Sequence, residues 1–387
     1  MIFDLIIVGG GSSGVFTYLT YKEKHPNKNV LIIESNNQLL RKLSCSGNGK
    51  CNFTNEYLSF DKYNNGENFK FLFDNNPKER ILSFFKKRNI LYYKDEEGRY
   101  YPYSNSAKSI QKILINEIDE KDYILDTKVI DIKYNNSLFY IESYNKEKGY
   151  LNFISKNLII ATGNKNYKTL GSDGSLFNSI KELGHTFTEI YPSNIYIKVK
   201  EKDITARLNG LRFKANLSLY NDNKYIYSES GELLMKEDAL SGIVSFNISS
   251  RLAKIYKDGN IKNPYIEVDF LYDYNESDLK DNYNSSNEKY NYLLGLIHPE
   301  MVKIIENENN PIEKLKSFRF NIVSLGDFDH AQVACGGINT KELNGLESKI
   351  IKGLYFVGDI LDIDAPCGGY NLSNAFLSGM KVGEVIE

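Results

Sequence analysis

Two hydrophobic rhythms divide the chain. Toward both ends, short apolar runs stop at a glycine or an acid: Leu5-Ile6-Ile7-Val8 before Gly9, Val30-Leu31-Ile32-Ile33 before Glu34, Leu158-Ile159-Ile160-Ala161 before Thr162-Gly163, and Leu354-Tyr355-Phe356-Val357 before Gly358. Runs that are apolar on both faces suit strands of a parallel sheet covered by helices. From about Tyr191 the pattern changes. Ile195–Val199, Ala215–Tyr220, Tyr225–Ser228 and Tyr265–Phe270 alternate or form short strands, which predicts a β-rich second domain. Strands at 129–133, 138–143 and 150–154, separated by Asn135-Asn136 and Glu147–Gly149, predict a small antiparallel meander. Helices are expected from Ser13 to about Lys24, over the polar stretch 56–90, from Ser106-Ala107 to about Glu117, over 292–308 despite Gly295, and after Asn371. Tyr100–Ser104 reads as an aromatic turn and the Asn-rich 276–291 as a loop. The fold class is α/β.

The first glycine break carries chemistry. Gly9-Gly10-Gly11-Ser12-Ser13-Gly14 fits G-x-G-x-x-G between a strand and a helix, the Rossmann-like arrangement. Gly9 permits the tight turn, Gly11 lets a pyrophosphate approach the backbone, and Gly14 lets helix and strand pack closely. The free N–H groups at Ser12 and Ser13 then face the phosphate charge. Glu34, twenty residues past Gly14, ends the second strand where a carboxylate takes both hydroxyls of an adenosine ribose, with Ser35 beside it. That acid disfavours a 2′-phosphate, so FAD or NAD fits better than NADP. The alternative is a βαβ unit with no ligand.

Further candidates follow along the chain. In the loop from Arg41 to Asn55, Ser46, Gly47, Asn48, Gly49, Cys51 and Asn52 supply small hydroxyls, amides and flexible turns around a polar group, and Arg41 and Lys42 flank it as expected beside a pyrophosphate. Ala161, Thr162 and Gly163 end a strand where open α/β sheets bind ligands, and Val129 joins them among the cofactor-binding candidates. Gly358-Asp359 repeats the strand-end pattern, with Asp359 placed to accept from a ribityl hydroxyl or to order water at the phosphates. Gly369, Tyr370, Asn371 and Leu372 open a final helix in which Ala375, Gly379 and Gly383 recur every fourth residue, a very small stripe that suggests close packing against another backbone.

Composition narrows the classes. A length of 387 residues suggests two or three domains, and 41% hydrophobic content with 29 Tyr and 21 Phe is that of a globular chain. A net charge of −2 advertises no nucleic-acid surface. No apolar run reaches membrane-spanning length, and Asp4 without a basic leader speaks against a signal peptide. The four Cys and four His are scattered, with neither C-x-x-C nor H-E-x-x-H, so neither a disulfide framework nor a metal site is expected. The expectation is a cytoplasmic protein acting on a small molecule, with no nucleic acid or membrane as partner.

Together these residues resemble a family, the bacterial BaiN-like or aminoacetone oxidase-like NAD(P)/FAD-dependent oxidoreductases of the glutathione reductase-like FAD superfamily. Gly9–Gly14 with Glu34, the run Ser46–Asn55, and Gly353–Gly379 with Cys367-Gly368-Gly369-Tyr370-Asn371 carry the likeness. Ala161-Thr162-Gly163, Ser241-Gly242, Cys335-Gly336-Gly337 and Glu347-Ser348-Lys349 also fall at family positions. Lys50, Asn164 and Ser373 depart from it, standing where Arg, Gly and Gln are usual. The resemblance implies FAD as cofactor and an FAD domain built from residues 1–189 and 326–387. It also implies an inserted β-barrel-like domain over 190–325 with a helical piece near 275–315. The implied activity is oxidation or reduction of a small organic substrate: NAD(P)H-linked reduction of a conjugated double bond, or amine oxidation by O₂. It assigns no catalytic residue. The final helix would aim its N–H groups at the flavin pyrimidine, where reduction leaves negative charge, and the substrate would lie on the exposed flavin face, roofed by the inserted domain.

Other classes make distinct demands. A disulfide reductase of the same superfamily carries C-x₄-C soon after its first dinucleotide unit, whereas Cys45 and Cys51 are spaced C-x₅-C. Small loop or buried thiols are the default. A tRNA-modifying flavoenzyme needs a broad basic surface, and a non-catalytic FAD-binding protein needs a blocked flavin face. No second G-x-G-x-x-G is present, and Gly171-Ser172-Asp173-Gly174 is too short to serve, so any NAD(P)H visits transiently in the substrate's own pocket. Initial-rate plots with varied NAD(P)H and oxidant are therefore expected to be parallel, with excess substrate competing against the nucleotide; intersecting lines would reveal a second nucleotide site.

Overall fold

The computed structural model describes residues 1–387 and separates into two compact units, Met1–Ile190 with Val333–Glu387, and Tyr191–Gln332. In the first unit the central strand is β1 (Ile2–Val8), followed by helix α1 (Ser12–Lys24). Strand β2 (Val30–Ile33) runs parallel to it with Leu5 opposite Val30. On the other side lies β3 (Gly149–Ile160), parallel with Val8 opposite Ile160, and beyond it β4 (Leu354–Phe356), parallel with Phe356 opposite Ile160. Leu5–Val8, Val30–Ile33, Leu158–Ile160 and Leu354–Phe356 are all buried, as strands covered on both faces must be. Because the four are parallel, Gly9, Glu34, Ala161 and Val357 leave the sheet at one edge.

The last helix, α2 (Tyr370–Val385), lies on α1. A methyl group on Gly379 would sit 2.4 Å from the Ser13 carbonyl, and one on Gly383 would sit 2.8 Å from that of Thr17. Each glycine costs the helix about 1 kcal/mol of propensity, and backbone contact is what that cost permits. Phe16 stacks on Phe376 at 4.1 Å between ring centres, beside Phe84 and Phe85. The small stripe is therefore explained by helix–helix packing.

Several local expectations are corrected. Of 56–90 only Pro77–Lys87 is an α-helix; Phe60–Lys62 and Gly66–Leu72 are 3₁₀ turns, and Asn65, Asn75 and Asn76 take left-handed backbone that interrupts any longer helix. The expected turn Tyr100–Ser104 is confined to Tyr103-Ser104: Tyr100–Pro102 belongs to the strand Arg99–Pro102, paired with Tyr92–Lys94 and Thr54–Asn55. The meander exists, but its third strand continues into the parallel sheet as the single β3, which pairs antiparallel with Leu138–Asn145 and then parallel with β1.

The second unit holds a closed six-stranded antiparallel barrel, in the order Ile197–Val199, Ala239–Ser241, Lys224–Lys236, Arg212–Asn221, Tyr265–Asp269, Phe318–Leu325. Its interior is lined by alternate residues such as Ala215, Leu217, Leu219, Ile266 and Val268. The expected loop 276–291 contains the helix Glu276–Ser285, whose N-cap Asn275 accepts from Ser277 N–H, and the start of Lys289–Leu296. The expected helix 292–308 is two helices, broken at His298 because Pro299 opens the second. The helix Ile243–Lys257 was not anticipated. No helix of the protein is long and apolar enough to cross a membrane.

A buried histidine ties the edge of the first unit's sheet. His185 Nε2 lies 2.8 Å from Ser348 Oγ, and Nδ1 lies 3.2 Å from a Glu342 carboxylate oxygen. Ser348 Oγ already accepts the N–H groups of Ile350 and Ile351, so its proton goes to Nε2 and the imidazole is neutral with Nδ1–H facing Glu342. Burial lowers the imidazole's pKa below the ordinary 6.5 despite Glu342. At Glu342 burial acts upward, but hydrogen bonds from Thr186 and His185 hold the carboxyl below its usual range. Since the unfolded chain binds the extra proton first, His185 contributes stability above its ordinary pKa that is lost as pH falls, and Glu342's share goes at lower pH. The unfolding temperature is expected to drop between about pH 7 and about pH 5.5, and His185→Gln to flatten that slope; an unchanged slope would assign the titration elsewhere.

Candidate functional site

The turn after β1 is held by close contacts. A methyl on Gly9 would lie 2.5 Å from the Ala161 carbonyl oxygen, and one on Gly14 would lie 2.0 Å from that of Gly9. Gly9 also has φ +106, which only glycine adopts at low cost. Gly11 differs: a methyl there would meet no protein atom within 4 Å, and its φ of −74 is ordinary. The first turn of α1 has neither a side-chain cap nor an acidic residue, so the N–H groups around Ser12 and Ser13 remain available to an anion. Ser13 is buried close to Gly358, where a methyl would meet its Oγ at 2.4 Å.

Glu34 organises this turn. One carboxylate oxygen accepts from Gly10 N–H at 2.7 Å. The other accepts from Asn36 N–H at 2.8 Å, from the Asn36 amide at 2.7 Å and from Ser35 Oγ at 3.2 Å. The first oxygen thus keeps a lone pair for a hydroxyl, while the second is filled by the chain itself. Arg41 donates to Asn36 Oδ1 at 2.8 Å and Lys42 to Asp359 at 2.7 Å, so both basic residues are braced by neighbours. Val129 is buried in the strand Thr127–Asn135, two residues beyond the Thr127 N–H that binds the Glu34 carbonyl.

The loop Ser46–Asn55 is a series of left-handed turns, with Gly47 at φ +56, Asn48 at +53, Gly49 at +82 and Cys51 at +63. Ser46 Oγ donates to the Leu43 carbonyl, and a methyl on Gly49, like one on Gly11, would meet nothing within 4 Å. Asn52, oriented to satisfy its neighbours, accepts from Gly369 N–H and donates to the Thr54 carbonyl. Asn55 donates to the Gly368 carbonyl at 2.9 Å, and Ser373 Oγ lies 3.0 Å from Thr54 Oγ1. These bonds join the loop to the start of α2, whose first turn also lacks a side-chain cap and an acid. No side-chain cap takes the N–H groups of Asn371 and Leu372 in that turn. The Asn371 side chain serves the preceding loop, accepting from Ala365 N–H at 2.9 Å and donating to its carbonyl at 2.7 Å.

Two contributors escaped the sequence reading. Asn164, standing where glycine is usual, donates to the carbonyls of Gly336 at 2.9 Å and Asp359 at 3.3 Å, pinning the segment after Ala161–Thr162–Gly163 to the Gly358–Asp359 turn. Asn36 bridges Glu34, Arg41 and the Leu170 carbonyl. Asn36, half-buried, lies in no recognisable motif, and the buried Asn164 was marked only as a departure from the family pattern. None of the four cysteines forms a disulfide, and burial pushes the Cys51 thiol up to about 12, so Cys51 offers no thiolate for a dithiol pair.

This arrangement fits a dinucleotide flavin. Open space borders Gly11 and Gly49, uncapped N–H groups face the strand edge at two helix starts, and Glu34 retains acceptor capacity beside the turn. Gly9–Gly14, Glu34, Asp359 and the start of α2 would hold it.

The sequence profile described as "HI0933-like protein Rossmann domain" matches residues 3–385. The chain is similar, at 29% identity over 97% of both chains, to a 3-dehydro-bile acid delta(4,6)-reductase of Clostridium scindens. It is 23% identical to ribosomal RNA dihydrouridine synthases of Haemophilus influenzae, over 96% of both chains, and of Escherichia coli, over 97% of this chain and 96% of that one. Among solved structures it resembles E. coli quinol fumarate reductase FrdA, with a TM-score of 0.53 at 13% identity, covering 100% of this chain and 70% of that one. A flavocytochrome c3 fumarate reductase matches with a TM-score of 0.53 at 13% identity, covering 99% and 78%. At those identities the likeness is one of fold.

The two glycines separate fold from ligand. Gly11→Val is expected to fold with an apoprotein melting temperature close to that of the parent but to purify nearly free of FAD, whereas Gly14→Ala loses stability directly. Retention of full flavin content by Gly11→Val would place the pyrophosphate elsewhere.

Proposed function

The chain belongs to the HI0933-like family and is an FAD-dependent oxidoreductase; from that premise we propose that it uses NAD(P)H to saturate a carbon–carbon double bond conjugated to a carbonyl in a small organic substrate. One observation carries this reading. Relatives with unlike substrates share a chemical outcome: a delta(4,6)-reductase of a 3-dehydro steroid and a dihydrouridine synthase each leave reduced what was a double bond in conjugation with a carbonyl. The greater identity is to the enzyme whose substrate is a small molecule. Some exposed lysines pair with carboxylates, as in Lys128–Asp173, Lys146–Asp126, Lys214–Asp273 and Lys262–Asp222, and the net charge of the chain is −2, a balance that supports a small-molecule substrate over an RNA backbone.

When bound, FAD supplies the hydride-transfer chemistry that no side chain offers. The chain's own residues bind and orient it. The N–H groups of the α1 start would receive the pyrophosphate, Glu34 a ribose hydroxyl, and Asp359, braced by Lys42, a ribityl hydroxyl. The start of α2 would place fixed dipoles toward the ring system without reorganisation, because Asn52, Asn55 and Asn371 already hold the flanking loops.

The test is anaerobic. NADH or NADPH is expected to bleach the yellow protein, and an enone such as a 3-keto-4-ene steroid or a cyclic enone to restore the colour. Bleaching by simple amines, with enones inert as oxidants, would replace this assignment with amine oxidation.

A further inference from the structure

Saturating a conjugated double bond places a hydride on one carbon and a proton on its neighbour, so an acid must stand within reach of the second carbon. Most acids around the cradle are engaged. Asp359 holds Lys42, and Glu34 accepts from Gly10 and Asn36. Tyr63 is buried and gives its hydroxyl to the Tyr370 carbonyl. Cys51 is sealed from solvent, and His185 is spent on Ser348 and Glu342.

Tyr167 differs. It is half-buried at the crown of the segment 161–174, with left-handed backbone at φ 57 and ψ 58. A side chain of this size rarely adopts that conformation, and such strain persists only where the surroundings impose it. Here they do. On one side Asn164 is tied to the carbonyls of Gly336 and Asp359, and Ser172 Oγ donates to the Asn164 carbonyl at 3.1 Å. On the other, the Asn36 amide donates to the Leu170 carbonyl at 3.2 Å, and Leu170 N–H closes the turn onto the Tyr167 carbonyl at 2.8 Å. The anchors, Asp359 and Asn36, are parts of the cradle itself. Burial raises the phenol above its ordinary 10, and the thiols of Cys45 and Cys367 add to the rise. Cys45 follows the short helix Arg41–Ser44, and Cys367 lies in the loop before α2. The turn that carries Tyr167 is thus tied to two cradle segments, and its half-buried phenol stays protonated at neutral pH.

Resting on the enone-reduction reading above, we propose that Tyr167 donates the proton that completes the saturated product. A hydride drawn ultimately from NAD(P)H forms the C–H bond at the carbon β to the carbonyl, and the π electrons pass to the α carbon. The α carbon then takes the proton from the phenolic O–H, and the phenolate regains one from water. An enolate carbon is a far stronger base than a phenolate, so the transfer runs forward even from a phenol with raised pKa.

The experiment uses FAD-loaded Tyr167→Phe, which keeps the ring and the backbone. Flavin content and the rate of anaerobic bleaching by NAD(P)H are expected to match the parent, while recolouring by an enone slows by about 100-fold or more. Recolouring by ferricyanide, which needs no proton on carbon, is expected to be unchanged. Enone recolouring within about threefold of the parent would overturn the proposal, since acid catalysis contributes far more. An equal loss with NAD(P)H, enone and ferricyanide would also overturn it, by showing a purely structural role. If Cys367→Ser or Cys45→Ser shows the enone-specific loss while Tyr167→Phe does not, a thiol is the donor and Tyr167 is not. A parent protein that no enone recolours would instead refute the proposed function, and this assignment with it.

Discussion

The structure depends on the contact between its first and last helices. Gly379 and Gly383 let α2 lie against the backbone of α1 near Ser13 and Thr17, at distances no side chain would allow. That contact sets where the start of α2 stands relative to the glycine turn, and Gly358 N–H bonded to Ser378 Oγ fixes the strand end between them. Both helix starts then face the same edge of the sheet. A bulky residue at either glycine would displace the ligand-facing end of α2 without touching a ligand.

Around this contact the cradle is preorganised by amides. Asn36, Asn52, Asn55, Asn164 and Asn371 each bond across segments distant in sequence or between adjacent turns. An amide can donate and accept at once, so one side chain satisfies both partners of a loop that has no ladder of its own. The hydroxyl of Ser373 works the same way between Thr54 and the Gly369 carbonyl. Three of the positions that depart from the family pattern, Lys50, Asn164 and Ser373, fall in or beside these segments, and for two of them the structure supplies a bonding role; it supplies none for Lys50.

The parallel strands were legible because burial on both faces leaves an unbroken apolar signature, and the Gly9–Gly14 turn because its glycines answer steric demands. Other elements were hidden by composition. The helix Ile243–Lys257 interleaves buried Ser245, Asn247, Ser249 and Ser250 with its buried Val244, Ile248 and Leu252; Ser249 Oγ bonds back to the Phe246 carbonyl and Ser245 Oγ to that of Ser241 just before the helix, so polar residues blur the apolar stripe that announces a helix. Glu276–Ser285 is polar nearly throughout, with Leu279 its one buried residue. The site was legible as a set of segments but not as bonds: Arg41 and Lys42 read as phosphate contacts, and the structure shows each braced by a partner that sequence distance concealed. Tyr167 had no signal at all, since left-handed strain at a tyrosine is a property of the surrounding bonds and not of the residue.

The long strand β3 has a consequence for how the protein is made. Its first half closes a local hairpin with Leu138–Asn145, which a growing chain forms as soon as residues near 160 emerge. Its second half waits for β4, which is separated from it by the whole of Tyr191–Gln332. The barrel can fold as a unit in that interval, while one edge of β3 stays unpaired and α1 lacks its partner. The cradle therefore closes last, and newly made protein can capture its cofactor only after the final helix has been made and has reached α1.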